Sequence, residues 1–144
     1  MRIAIGCDHA GSNLKQFVLK LITDGGHNYQ DFGCHNTDPV DYPDIARKVG
    51  EAVARGECER GIVVCGSGIG MSIAANKVKG IRAALCHDAA SAHQARQHND
   101  ANILCLGVQG EPGLISEIVE AFLAGAFEGG RHLRRLKKIV DMEG

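Results

Sequence analysis

Four short apolar runs constrain this chain more than any other feature. RIAIG (2–6), GIVVC (61–65), IRAALC (81–86) and NILCLG (102–107) are nearly continuous rather than alternating. A strand that is apolar at successive positions is covered on both faces, the condition of a parallel sheet flanked by helices. Helical spacings lie between the runs. Leu14, Phe17, Val18, Leu21 and Ile22 form one helical stripe closed by Gly25–Gly26, and Ile45, Val49 and Val53 space a second that ends near Gly56. Further helices are expected through 71–77, over 89–98, over 113–127 with Leu114, Ile118, Val119 and Phe122 inward, and over 131–143 with Leu133, Leu136 and Val140 on one face.

HNYQDFG (27–33) is a weaker strand, and CHNTDPVDYPD (34–44) reads as a loop with two prolines. This order of β and α predicts an α/β fold, a Rossmann-like three-layer sandwich with a central parallel sheet of about five strands. A length of 144 residues suits one domain, 1–144. The net charge of −1 offers no field for nucleic acid or anionic membrane. No apolar run approaches the ~20 residues of a membrane span. The start, MRIAIGCDHA, lacks a signal-peptide pattern, so a cytoplasmic protein is expected. The six cysteines include no CxxC pair, which argues against a zinc ribbon and for reduced core thiols.

In doubly wound sheets the ligand crevice lies beyond the carboxyl ends of the strands. The strand ends carry Cys7-Asp8-His9, Cys65-Gly66-Ser67-Gly68-Ile69-Gly70, His87-Asp88 and Gly107-Val108-Gln109. Arg96-Gln97-His98-Asn99-Asp100, just before the last strand, is taken with them. Asp8 and Asp88 also have a plain reading as helix caps. CGSGIG is the most informative stretch: its glycines let backbone N–H groups face an anion where a helix begins. It is not a dinucleotide fingerprint, because Met71 stands where the third glycine belongs, and it is not a P-loop. A cysteine-phosphatase loop would need an arginine at position 71. What remains is a thiol beside a nest of amides, able to serve as nucleophile or proton-transfer base while the amides hold a developing oxyanion.

The last helix supplies a second signal. Arg131, Arg135 and Lys138 share one face, and a cation in a first turn is not explained by the helix dipole. Arginines one turn apart, with His132 beside them, suit a phosphate dianion. No metal constellation is apparent, and no cofactor is implied. Proton abstraction next to a carbonyl of a small phosphorylated substrate fits these parts better than hydrolysis.

GCDHAG (6–11), DYPD (41–44), CGSGIGMSIAANK (65–77), GIRAA (80–84), RQHNDANIL (96–104) and EGGRH (128–132) together resemble the ribose-5-phosphate isomerase B family. That family also includes allose-6-phosphate and galactose-6-phosphate isomerases. The resemblance implies a metal-independent aldose–ketose isomerase, most often of ribose 5-phosphate in the pentose phosphate pathway, working through a cis-enediolate. It implies Cys65 as base, Ser67 as an assisting hydroxyl and His98 as the ring-opening group. Asp8 and Asn99 would contact substrate hydroxyls, Tyr42 would line the cleft, and the amides of Gly66, Gly68, Ile69 and Gly70 would hold the enediolate. His9, Arg131 and Arg135 would bind the phosphate. Homodimers, in some members tetramers, with sites shared across the interface are implied too. The chain has Met71 where one branch carries a glutamate base, and so matches the cysteine branch. Gln109 stands where arginine is common, which keeps other substrates open: a tetrose phosphate such as erythrulose phosphate, or a hexose 6-phosphate. A non-catalytic sugar-phosphate-binding subunit and a cysteine hydrolase using Cys65 and His98 are the remaining alternatives.

Overall fold

The computed structural model describes residues 1–36 and 38–144; the expected loop over 34–44 therefore includes one position, Thr37, outside the described residues. The strands are β1 (Arg2–Cys7), β2 (Asn28–Asp31), β3 (Arg60–Cys65), β4 (Ala83–Leu85) and β5 (Ile103–Gly107). The helices are α1 (Ser12–Asp24), α2 (Tyr42–Ala54), α3 (Ile69–Ala75), α4 (Ala89–Asn99), α5 (Pro112–Ala124) and α6 (Arg131–Asp141), with a short 3-10 turn over His9–Gly11. The five strands form one parallel sheet in the order β2-β1-β3-β5-β4. The order turns between β1 and β3, so a topological switch point lies at the ends of those two strands.

Helices cover both faces, as the continuous apolar runs require. Ile3, Ile5, Ile62, Val64, Leu104 and Leu106 face the layer of α1, α4 and α5. Ala4, Val63, Cys65, Ile103 and Cys105 face α2 and α3. Each fully buried Val, Leu or Ile contributes roughly 1.5–3 kcal/mol of transfer free energy. A charged side chain of α1 enters the first layer. Lys15 is fully buried, with Nζ 2.9 Å from Asp31 Oδ2 and donating to the Cys34 carbonyl at 2.6 Å. This cation ties the end of β2 and the following segment to α1, beside the end of β1.

Several sequence expectations shift. Tyr42 opens α2 rather than lying in the preceding loop, because Pro43 sits within the first turn, where its missing N–H costs nothing. The strand expected over 81–86 shortens to β4. The helix expected to 127 stops at Ala124. There Arg60 takes the Phe122, Leu123 and Gly125 carbonyls at 2.7, 3.0 and 3.0 Å, and Arg96 takes Gly125 at 3.2 Å. Side chains from distant elements thus satisfy the helix-end carbonyls. Leu114 is not inward but 38% exposed; Ile115, buried, takes its place. On α6 only Leu136 and His132 are buried, while Leu133 and Val140 remain 46% and 48% exposed. No described helix is long and apolar enough to cross a membrane.

Candidate functional site

At the switch point, β1 delivers Asp8 and β3 delivers Cys65. The Cys65 side chain turns to the α2/α3 face and is buried. Its sulfur accepts the Gly68 N–H at 3.1 Å. Gly68 has φ +80°, and a Cβ there would lie 2.5 Å from Leu85 Cδ1 and 3.0 Å from the Leu106 carbonyl carbon. Only glycine brings that amide onto the thiol without strain. Ser67, exposed, accepts the Ile69 N–H at 3.2 Å. Two amides of the expected nest are therefore directed at Cys65 and Ser67 themselves.

The other groups of this edge are fixed in similar ways. Asp8 is buried, and its Oδ1 accepts the Ala10 and Gly11 N–H groups at 3.0 and 3.1 Å, so it caps the 3-10 turn. His9 is exposed, and its Nδ1 accepts the Val40 N–H at 3.3 Å, which leaves Nε2 for the ring proton. The Tyr42 ring lies against Gly70: a Cβ there would be 2.6 Å from Tyr42 Cε1. Gln109 also lies at this edge. With His87 it lines a cavity of about 380 Å³ that includes Gly66, Ser67 and Ile69. The cavity is floored by Cys86, Ile115 and Ile118, which belong to the opposite layer, so Gln109 stands across β3 from the thiol. Asp88 takes its plain role, capping α4 through the Ser91 N–H at 2.7 Å.

The structure does not bring the remaining candidates to this edge. Gly61 pairs with Ile103, and Cys65 pairs with Gly107. A residue just before β5 therefore lies about 13 Å from the thiol's edge, one strand length away. The end of α4, with His98 and Asn99, lies at the amino edge, contrary to the grouping drawn from the sequence. Arg96 is buried and structural, bonded to the Ala101 and Gly125 carbonyls and to Asp100. Arg82 grips the Asn99 and Asp100 carbonyls.

Helix α6 begins at the same amino edge, where the Glu128 N–H donates to the Gln97 carbonyl at 3.0 Å. Arg131 and Arg135 are exposed there. His132 turns inward and stacks on His98, with ring centroids 4.4 Å apart and planes at 16°. Burial, then the positive neighbours His98 and Arg131, push the His132 ring below the ordinary histidine range. Ligand atoms of His98, Glu128 and His132 fall within 4.8 Å of one another, a cluster the sequence did not reveal. Stacked imidazoles hold their in-plane lone pairs side by side rather than convergent, a poor start for sharing one ion.

The parallel sheet with its switch point defines a doubly wound α/β protein, and a buried thiol held by a backbone amide lies at that switch point. The chain belongs to the ribose/galactose isomerase family, whose model matches residues 3–139. It is similar to the solved ribose-5-phosphate isomerase B of Clostridium thermocellum, with 51% identity, a TM-score of 0.97 and coverage of 99% of this chain and 97% of that one. Ribose-5-phosphate isomerase B of Escherichia coli (strain K12) is 44% identical over 144 residues, 99% of this chain and 96% of that protein. D-erythrulose-4-phosphate isomerase of Pectobacterium atrosepticum is 42% identical over 142 residues, 96% of this chain and 93% of that protein.

Proposed function

We propose that the protein interconverts an aldose phosphate and a ketose phosphate, ribose 5-phosphate and ribulose 5-phosphate, without a metal. The observation that carries this reading is the Gly68 N–H on Cys65 Sγ at 3.1 Å, at the switch point and beside Asp8 and Tyr42. Cys65 takes the C2 proton of the open-chain aldose. The C2–H electrons form a C1=C2 bond, and the carbonyl electrons move onto O1. A proton passes from O2 to O1 with help from Ser67, and reprotonation at C1 gives the ketose. Backbone N–H groups at Gly66 and Gly70 hold the oxyanion of the enediolate, while those of Gly68 and Ile69 hold Cys65 and Ser67. Asp8 and Asn99 bind hydroxyls, His98 opens the ring, and His9, Arg131 and Arg135 take the phosphate.

These roles require two copies of the chain. His98, Asn99, Arg131 and Arg135 are a strand length from Cys65 in one subunit, so each site combines the carboxyl edge of one protomer with the amino edge of its partner. The apolar positions Leu133, Ile139 and Val140 on α6 are 46%, 41% and 48% exposed, and a second subunit is their fitting cover. We read residues 1–144 as one domain, with α6 providing both phosphate ligands and dimer contacts. Six buried cysteines suit a reducing compartment, and the reading places the protein in the cytoplasm.

The test is proton exchange. Incubated with ribose 5-phosphate in deuterated water, the enzyme should place deuterium on carbon, followed by NMR, and form ribulose 5-phosphate. Absence of exchange with every pentose, tetrose and hexose phosphate would overturn the reading. The second reading is another substrate class, a tetrose or hexose phosphate, because Gln109 stands where arginine is common in the family. A neutral amide in place of a guanidinium keeps hydrogen bonding but loses charge and fork geometry. A higher kcat/KM for a tetrose or hexose phosphate than for ribose 5-phosphate would establish it.

A further inference from the structure

We propose that His132 is a positioning residue for ring opening: its buried imidazole is the plate that holds the His98 ring in the plane needed to act on a furanose phosphate. The proposal rests on the isomerase reading above. Among the described residues no hydrogen bond fixes the His98 ring, which is partly exposed at the last turn of α4. The contact that fixes its plane is the stack on His132, at 4.4 Å and 16°. His132 is itself enclosed. It is 6% exposed, it sits in the first turn of α6, and its backbone N–H donates to the Gly129 carbonyl at 3.1 Å. The preceding Glu128 is tied by its own N–H to Gln97, the residue before His98. The backbone thus docks the start of α6 on the end of α4 in one register.

The charges around the pair assign the rings different tasks. His98 faces His132 from α4, Arg131 and Arg135 face it from α6, and Glu128 faces it from the connecting segment. Nε2 of His132 is buried with no hydrogen-bond partner among the described residues, and Glu128 Oε2 is 3.8 Å away, beyond hydrogen-bond reach. A buried nitrogen with no partner suits His132 to packing rather than to proton transfer, and leaves the more exposed His98 ring to face the sugar. Ring opening then needs only His98 and the sugar. The O1 hydroxyl gives up its proton, the O1–H electrons form the C1=O1 double bond as the C1–O4 bond breaks with its pair on O4, and O4 receives a proton. Nothing is oxidised or reduced. The step is sensitive to the imidazole plane, because proton transfer requires the nitrogen within hydrogen-bond distance of the sugar oxygen.

Ring opening can be separated from isomerisation by choice of substrate. Ribose 5-phosphate is a furanose closed through O4. Ribulose 5-phosphate cannot close to a furanose, because its O5 carries the phosphate. Two rates are measured on the full-length protein: conversion of ribose 5-phosphate, and solvent-deuterium exchange at C1 of ribulose 5-phosphate. In His132→Ala, the first should fall roughly tenfold or more, and the second should stay within about twofold of the unsubstituted rate. His132→Phe, which keeps a flat ring without nitrogens, should recover most of the loss, whereas His132→Leu should not. If His132→Ala fails to fold, the Phe and Leu variants carry the same comparison. Equal loss of both rates would overturn the proposal and make His132 a structural prop. Loss of neither, or a Phe variant as poor as Leu, would overturn it too. Absence of C1 exchange in the unsubstituted enzyme is a different failure, and it would sink the isomerase reading itself.

Discussion

At the carboxyl edge of the sheet the candidate groups are fixed by backbone and packing: an amide on the Cys65 sulfur, two amides on Asp8, and a glycine that admits the Tyr42 ring. At the amino edge the fixing is done by long side chains reaching carbonyls, with Arg82 on Asn99, Arg96 on Ala101, and Arg60 and Arg96 together on Gly125. The first arrangement leaves the candidate groups few degrees of freedom. The second presents His98, Arg131 and Arg135 on a helix end and a helix start joined by the Glu128 N–H to Gln97 bond and the His98–His132 stack, with guanidinium groups holding the flanking carbonyls. The difference teaches that, on the proposed reading, the chemistry and the phosphate grip are separate modules, one strand length apart, which should respond differently to substitution.

The largest expected effect breaks the comparison if the two edges do not meet across subunits. Cys65→Ala should lower isomerisation about a thousandfold or more, as loss of a positioned proton acceptor does, with little change in melting temperature. Arg135→Ala should cripple phosphate binding. Mixed and reassociated, the two inactive variants should recover activity. Half of the dimers would be heterodimers, each with one site made of intact residues, so about a quarter of the sites would work. No recovery on mixing, with exchange of subunits verified by mass spectrometry, would show that each site is built within one chain.

Arg96→Met probes the amino edge alone. It removes donors to the Ala101 and Gly125 carbonyls and the partner of Asp100. The variant should lose about 2–3 kcal/mol of stability in urea unfolding, the cost of stranding the Ala101 carbonyl and breaking a charge-assisted bond, since Arg60 still holds Gly125. KM should rise, because α6 loses its seat, while kcat falls only a few-fold. A fall in kcat as steep as that of Cys65→Ala would contradict the modular picture. At the other edge, Gly70→Ala places a Cβ on the Tyr42 ring and should cost roughly tenfold in kcat/KM, about 1.4 kcal/mol. Restoration by Tyr42→Ala in the same chain would confirm that the ring, not the backbone, is what the methyl disturbs.

The two edges were not equally legible in the sequence. The thiol nest was readable because it is local: a buried strand, three glycines and a helix start follow one another within a few residues. The central strands were readable from their apolar runs for the same reason. The amino edge depends on contacts between distant segments. Nothing in the spacing of His98 and His132 announces that they stack, nor that Arg60 ends α5 at Ala124 rather than at 127. The sequence misplaced the His98 segment because it adjoins a strand, yet a residue that precedes a parallel strand lies at its amino end by construction. Leu114 shares the four-residue spacing to Ile118 but falls at the edge of the buried stripe, whose centre runs through Ile115, Ile118, Val119 and Phe122.

The smallest expected effect is on stability against pH, where the two edges should fail in opposite directions. Burial pushes the Cys7 thiol, at the end of β1, from 9.0 up to about 12, with Lys15 opposing and Cys34 adding to the rise. The unfolded chain releases this proton near pH 9 and the folded one holds it, so stability is intact below about 9 and is lost as pH rises toward 12. His132, at the amino edge, is held below its ordinary 6.5 by burial and by cations. Here the unfolded chain binds the proton first, so stability is intact above about 6.5 and is lost as pH falls below it. Melting temperature should therefore form a plateau with an acid and an alkaline limb, each falling by a few degrees at first. Cys7→Ala should flatten the alkaline limb and leave the acid one, and His132→Phe should do the reverse. If either substitution flattened both limbs, the two edges would be coupled through the sheet, and the separation between chemistry and grip would be lost as a description of this molecule.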